Sequence, residues 1–156
     1  MKSYRLLLII GLIFTYSVSI AQRPSFSNYK VPLYKGHRAK LRLKGNKLAE
    51  MYRTIIKSTY YNSKSMKIWH GATGLNFAGH YCFVYWGCGS NCQDSAVVDL
   101  ITGIVYPGIT ASLGYNIKRN SKLIIVNPDG DSTDCAFCKS EYWLWNNIKK
   151  KFIKLS

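Results

Sequence analysis

The chain has 156 residues, with 22 Lys and Arg against 7 Asp and Glu and a formal net charge of +15. That length is expected to hold a single hydrophobic core rather than two. An excess of positive charge this large sets up a field that draws polyanions.

The chain begins MKSYRLLLIIGLIFTYSVSIAQ. Lys2 and Arg5 precede an apolar run at residues 6–14, and Ser19-Ile20-Ala21 supplies the small residues a signal peptidase reads. Residues 1–21 are therefore expected to be a secretory signal peptide, cleaved before Gln22. An uncleaved membrane anchor stays open. The uncharged run 6–22 sits at the lower end of the roughly 17–25 residues a spanning helix needs, and Thr15, Ser17 and Ser19 dilute it. No cysteine lies at the cleavage point. The expected product is exported, periplasmic or extracellular, and carries a charge of +13 once Lys2 and Arg5 are gone. Between Arg23 and Lys67 there are twelve Lys or Arg and one acid, Glu50, whereas eight basic and six acidic residues follow.

Residues 22–36 carry Pro24, Ser25, Ser27, Asn28, Pro32 and Gly36, the composition of a loosely structured lead-in to a single domain over 37–156. Residues 39–44, AKLRLK, alternate basic and apolar and predict a half-buried strand whose outer face carries Lys40, Arg42 and Lys44. Gly45-Asn46 ends it, and Asn46 suits a helix N-cap because its side-chain oxygen accepts from unpaired first-turn N–H groups. Leu48, Met51, Tyr52, Ile55 and Ile56 then recur at helical spacing, predicting one amphipathic helix that stops near Thr59.

From His80 the pattern turns to β. His80, Cys82, Val84 and Trp86 alternate with Tyr81, Phe83 and Tyr85, so both faces are apolar and the strand should be covered on each side. Residues 95–100 form a second strand, Gly103 suits the left-handed position of a tight turn, and residues 104–106 return. Residues 122–126 give a further strand before the turn Asn127-Pro128-Asp129-Gly130-Asp131. Residues 141–145 and 148–155 pair through Asn146-Asn147. The expected class is α+β: mostly antiparallel hairpins, one helix and one disulfide-stapled domain.

The strings N-F-A-G-H-Y, W-G-C-G-x-x-C and D-x-x-T-G-x-V-Y within residues 76–106 resemble a set of small, uncharacterised exported bacterial proteins. The matching residues are Asn76, Phe77, Ala78, Gly79, His80, Tyr81, Trp86, Gly87, Cys88, Gly89, Cys92, Asp99, Thr102, Gly103, Val105 and Tyr106. The resemblance implies export and supports the fold, and it brings no activity.

Four of the five cysteines form two close pairs, Cys88 with Cys92 and Cys135 with Cys138. An oxidising compartment makes such thiols into disulfides, typically worth about 2–4 kcal/mol each. Bridges within each pair are the first expectation, and crossed bridges remain open. A four-thiolate zinc site is the competing chemistry. Cys82, mid-strand among aromatics, reads as a buried inert thiol.

Cys88 and His80 are the candidate catalytic pair, as thiolate and base, with the backbone N–H groups near Gly87 and Gly89 as oxyanion donors. The C-x-x-C at 135–138 lies among Asp131, Asp134 and Glu141, carboxylates that raise a thiol's pKa and oppose redox chemistry. The sequence holds no H-E-x-x-H, Walker or G-x-S-x-G motif, and Asp129-Gly130-Asp131 lacks the distal glutamate of a calcium loop. His37 and His70 receive no role, and no metal or cofactor is assigned. The leading expectation is a non-enzymatic module that binds an anionic polymer, lipid headgroups or an acidic protein through Lys40, Arg42 and Lys44. Nucleic acid is set aside because the chain is expected to leave the cytoplasm. The alternative is a cysteine-dependent enzyme using Cys88 and His80.

Overall fold

A computed structural model describes residues 23–61, 74–133, 135 and 138–155. The expected signal peptide lies outside the described residues, as do Lys64, Lys67 and His70. The elements run α1 (Lys47–Met51), α2 (Arg53–Tyr60), β1 (Tyr81–Gly89), β2 (Cys92–Asp99), β3 (Val105–Pro107), β4 (Tyr115–Ile117), β5 (Leu123–Val126), β6 (Glu141–Asn146) and β7 (Lys151–Lys154). The fold is α+β, and its strands form two antiparallel sheets, β1-β2-β3 and β4-β5-β6-β7.

The two apolar faces of β1 explain the layering. Cys82, Val84 and Trp86 join Ala96 and Val98 beneath Ala49, Ile56 and Tyr60 of the helices. Tyr81 and Phe83 join Val97 and pack on Ile124, Val126 and Trp145 of the second sheet. The first sheet is thus sandwiched between helices and second sheet, because alternate side chains of a strand point to opposite faces. β1 is nevertheless an edge strand. Its backbone at Phe83 is satisfied by the Asn76 side chain, which donates to the Phe83 carbonyl at 2.9 Å and accepts from its N–H at 2.6 Å. Two other residues of the 76–106 signature serve close approach. Gly79 (φ +85°) and Gly103 (φ +74°) sit where an added β-carbon would lie 2.5 Å from the Pro32 carbonyl oxygen and 2.1 Å from that of Lys40. Only glycine adopts such φ values without strain.

Several elements depart from expectation. The helix is divided at Tyr52 (φ −103°, ψ 25°), whose ring stacks on Trp86 with centroids 4.1 Å apart. The break turns α1 relative to α2, so Ala49, Ile56, Thr59 and Tyr60 are buried while Met51 is 74% exposed. Asn46 caps as its chemistry requires, its Oδ1 accepting from the Ala49 N–H at 3.1 Å.

Residues 39–44 form an extended ribbon rather than a strand. One parallel bridge, Arg42 with Ile104, is its whole β character, because its neighbour β3 is only three residues long. The alternation survives: Leu41 and Leu43 pack against the core and Lys40, Arg42 and Lys44 are exposed.

The last hairpin turn is longer than Asn146-Asn147, and β7 begins at Lys151. Asn146 Oδ1 accepts from the N–H groups of Ile148 and Lys149, and Lys150 takes a positive φ of 49°. The lead-in holds a single 3-10 turn, Phe26–Tyr29, and is tied to the body through Val31 to Asn120 and Tyr34 to Gly79. β4 has no counterpart in the sequence pattern, being three residues without a full alternation.

Candidate functional site

Lys40, Arg42 and Lys44 line one groove of about 710 Å³, together with Leu41, Leu43, Lys57 and Tyr61. The ribbon is fixed from below by backbone bonds, Ala39 N–H to the Leu100 carbonyl and Arg42 N–H to that of Gly103, both 2.8 Å. From the helix side, the Tyr60 hydroxyl donates to the Ala39 carbonyl at 2.8 Å and the Tyr61 hydroxyl accepts from Leu41 N–H at 3.3 Å. With the two leucines packed inward, the alternate cations can only project out.

Lys57 completes the lining from α2. Its position on the polar flank of the helix is legible from periodicity, but nothing in the pattern shows that this flank faces residues 40–44. Arg38 is turned toward the helix instead, its guanidinium donating to the Tyr60 carbonyl and lying 5.2 Å from that ring's centroid. None of Lys40, Arg42, Lys44 and Lys57 is ion-paired with a described residue, and no carboxylate lines the groove among the described residues. Four cations brought together without counter-ions create a local positive potential that an anion relieves.

Cys88 and His80 are not brought together. Cys88 is bonded to Cys92, and Cys135 to Cys138. The bridges are therefore the local ones, and no crossed pair or four-thiolate centre forms. A sulfur in a disulfide is no thiolate, and β1 holds Cys88 at the end opposite His80, roughly 26 Å along the strand at about 3.3 Å per residue. Cys82 is free and fully buried, and burial pushes its thiol up to about 12, which leaves it protonated. Asp129 precedes and Asp131 lies within a 3-10 turn, Gly130–Ser132.

The histidine instead joins a cluster the sequence does not announce. Asp99 is 2% exposed, with its Oδ2 3.5 Å from Lys150 Nζ and its Oδ1 4.0 Å from His80 Nε2. Lys150 also donates to the Tyr81 hydroxyl at 2.8 Å. Burial holds the His80 imidazole below its ordinary pKa against the opposing pull of Asp99. Burial also works against charge on Lys150, but its bond to Tyr81 and the Asp99 carboxylate outweigh that and raise its pKa. This cluster ties the β6–β7 turn to the end of β2 and neutralises a buried carboxylate. Asp99 and Lys150 are 51 positions apart, and no spacing rule links them.

No protein family, curated protein or solved structure matches the chain.

Proposed function

We propose that this protein is an exported, non-enzymatic binding module that engages an anionic component of the cell envelope, or an acidic protein, through the groove of Lys40, Arg42, Lys44 and Lys57. The observation that carries the reading is the grouping of four cations along one groove with no carboxylate among the described residues that line it. Export is supported by the signal-like first 21 residues, by the resemblance of residues 76–106 to exported bacterial proteins, and by two disulfides, which persist in oxidising compartments. The bonded state of Cys88 leaves the cysteine-enzyme reading without a nucleophile.

The test is retention of the chain from Gln22 onward on an immobilised uronic-acid polymer, on anionic vesicles and on polyglutamate, as salt rises from about 0.05 to about 0.5 M. Binding to at least one probe should weaken steeply with salt. The K40Q/R42Q/K44Q variant should lose about hundredfold in affinity at about 1 kcal/mol per cation, with its thermal midpoint unchanged. Binding insensitive to both salt and the triple variant would sink the proposal.

A further inference from the structure

Two turns at one end of the molecule are built alike. Asp99 Oδ1 accepts from the Ile101 N–H at 2.8 Å, and Asn146 Oδ1 accepts from the Ile148 N–H at 3.0 Å. In each case the residue two after the side-chain acceptor is an isoleucine facing solvent, 49% exposed at Ile101 and 93% at Ile148. Turn positions of this kind usually carry polar residues. One exposed isoleucine is ordinary; two on anchored turns that share an end are not.

The shared end follows from the contacts. Lys150 reaches Asp99, which sets the β6–β7 turn against the β2–β3 turn. Gly103 lies against the Lys40 backbone, which brings in the start of the cationic groove. The β4–β5 turn joins them, because the Gly79 N–H donates to the Arg119 carbonyl at 2.7 Å beside the start of β1. Lys40, Lys118, Arg119 and Lys149 are all exposed there. Asp99 is the one described carboxylate at these turns, and it is buried and paired with Lys150.

We infer that this end seats on an anionic lipid surface, with Ile101 and Ile148 entering the boundary between headgroups and acyl chains and the surrounding lysines and arginine lying among the phosphates. The inference rests on the anionic-partner reading and names the partner. Apolar tips within a cationic collar match the layering of an anionic bilayer, where apolar groups sink roughly 5–10 Å and basic side chains reach back to the headgroups. An acidic protein would have to offer a fitted socket for each tip, whereas a bilayer interface deforms around both.

The experiment is co-sedimentation of the chain from Gln22 onward, which contains every described element, with vesicles of phosphatidylcholine alone or mixed with phosphatidylglycerol. Retention on the uronic-acid polymer is measured in parallel. Sedimentation should require phosphatidylglycerol and weaken with salt. The I101S/I148S variant should bind those vesicles about tenfold more weakly or worse, with polymer retention and thermal midpoint unchanged. An environment-sensitive dye on an Ile148→Cys variant should shift to the blue with the mixed vesicles alone. Vesicle binding indifferent to I101S/I148S, or binding to polyglutamate without vesicle binding, overturns the lipid inference and leaves the anionic reading standing. Failure to bind any anionic probe overturns both.

Discussion

The two ends of the β1–β2 hairpin are closed by different chemistry. At one end, a buried carboxylate, Asp99, is held by Lys150 from the second sheet, and exposed cations surround it. At the other, Cys88 and Cys92 close an exposed tip covalently. Asp94 stands opposite Trp86 toward that tip, and Glu141 opens β6 beside Val126, near the turn that carries Asp129 and Asp131. Two of these carboxylates make pairs at the surface, Asp131 with Arg23 and Glu141 with Lys154. A net charge of +15 is thus unevenly spread, with positive charge unanswered at one end and opposed at the other. Separation of charge along one axis gives a small protein an orientation toward a charged surface as well as an attraction to it.

Removing one ion pair at each end breaks the comparison most sharply. Lys150→Met strands Asp99 in the core, and the expected loss is about 2–3 kcal/mol, discounted because Lys150 is itself partly solvated. Glu141→Gln removes a pair at the surface, where such pairs are worth about 0–1 kcal/mol. Urea denaturation of both variants checks the contrast, and equal losses would contradict it. Next in size is the C88S/C92S variant. A loop this short constrains the unfolded chain little, so the expected loss is about 2 kcal/mol. Binding to anionic probes should be untouched, and a parallel fall in affinity would show that the tip takes part.

The smallest effect is a pH dependence at the basic end. Burial keeps the folded His80 pKa below its ordinary value, with Asp99 opposing and Lys150 assisting. As pH falls through about 6.5 the unfolded chain therefore takes up a proton that the folded chain resists, and the native state loses stability there. His80→Asn should flatten that loss, read as thermal midpoints at about pH 7.5 and about pH 5.5. A wild-type protein that gains stability toward the lower pH would reverse the sign and refute the assignment.

Most of the fold was legible where one residue carries one physical requirement. Asn46 as a cap, Gly103 at its turn and the two apolar faces of β1 each follow from local chemistry, and each is found. The division of the strands into two sheets was not legible, because a strand apolar on both faces tells that something covers it and not what. Met51 fits the apolar stripe yet stands in solvent, since periodicity assumes an unbroken helix and Tyr52 breaks it to stack on Trp86. Of the candidate site, Lys40, Arg42 and Lys44 were evident from alternation. Lys57, Tyr61 and the Asp99–Lys150 pair depend on contacts between distant segments, and single-sequence patterns do not encode them.

The central claim is that an anionic partner engages the basic end. Amide hydrogen exchange of the chain from Gln22 onward, with and without anionic vesicles or the uronic-acid polymer, tests it directly. The account predicts slowed exchange in residues 38–44, 99–103 and 146–150 with none at 87–92. Protection centred on the disulfide tip, or on neither end, would contradict it.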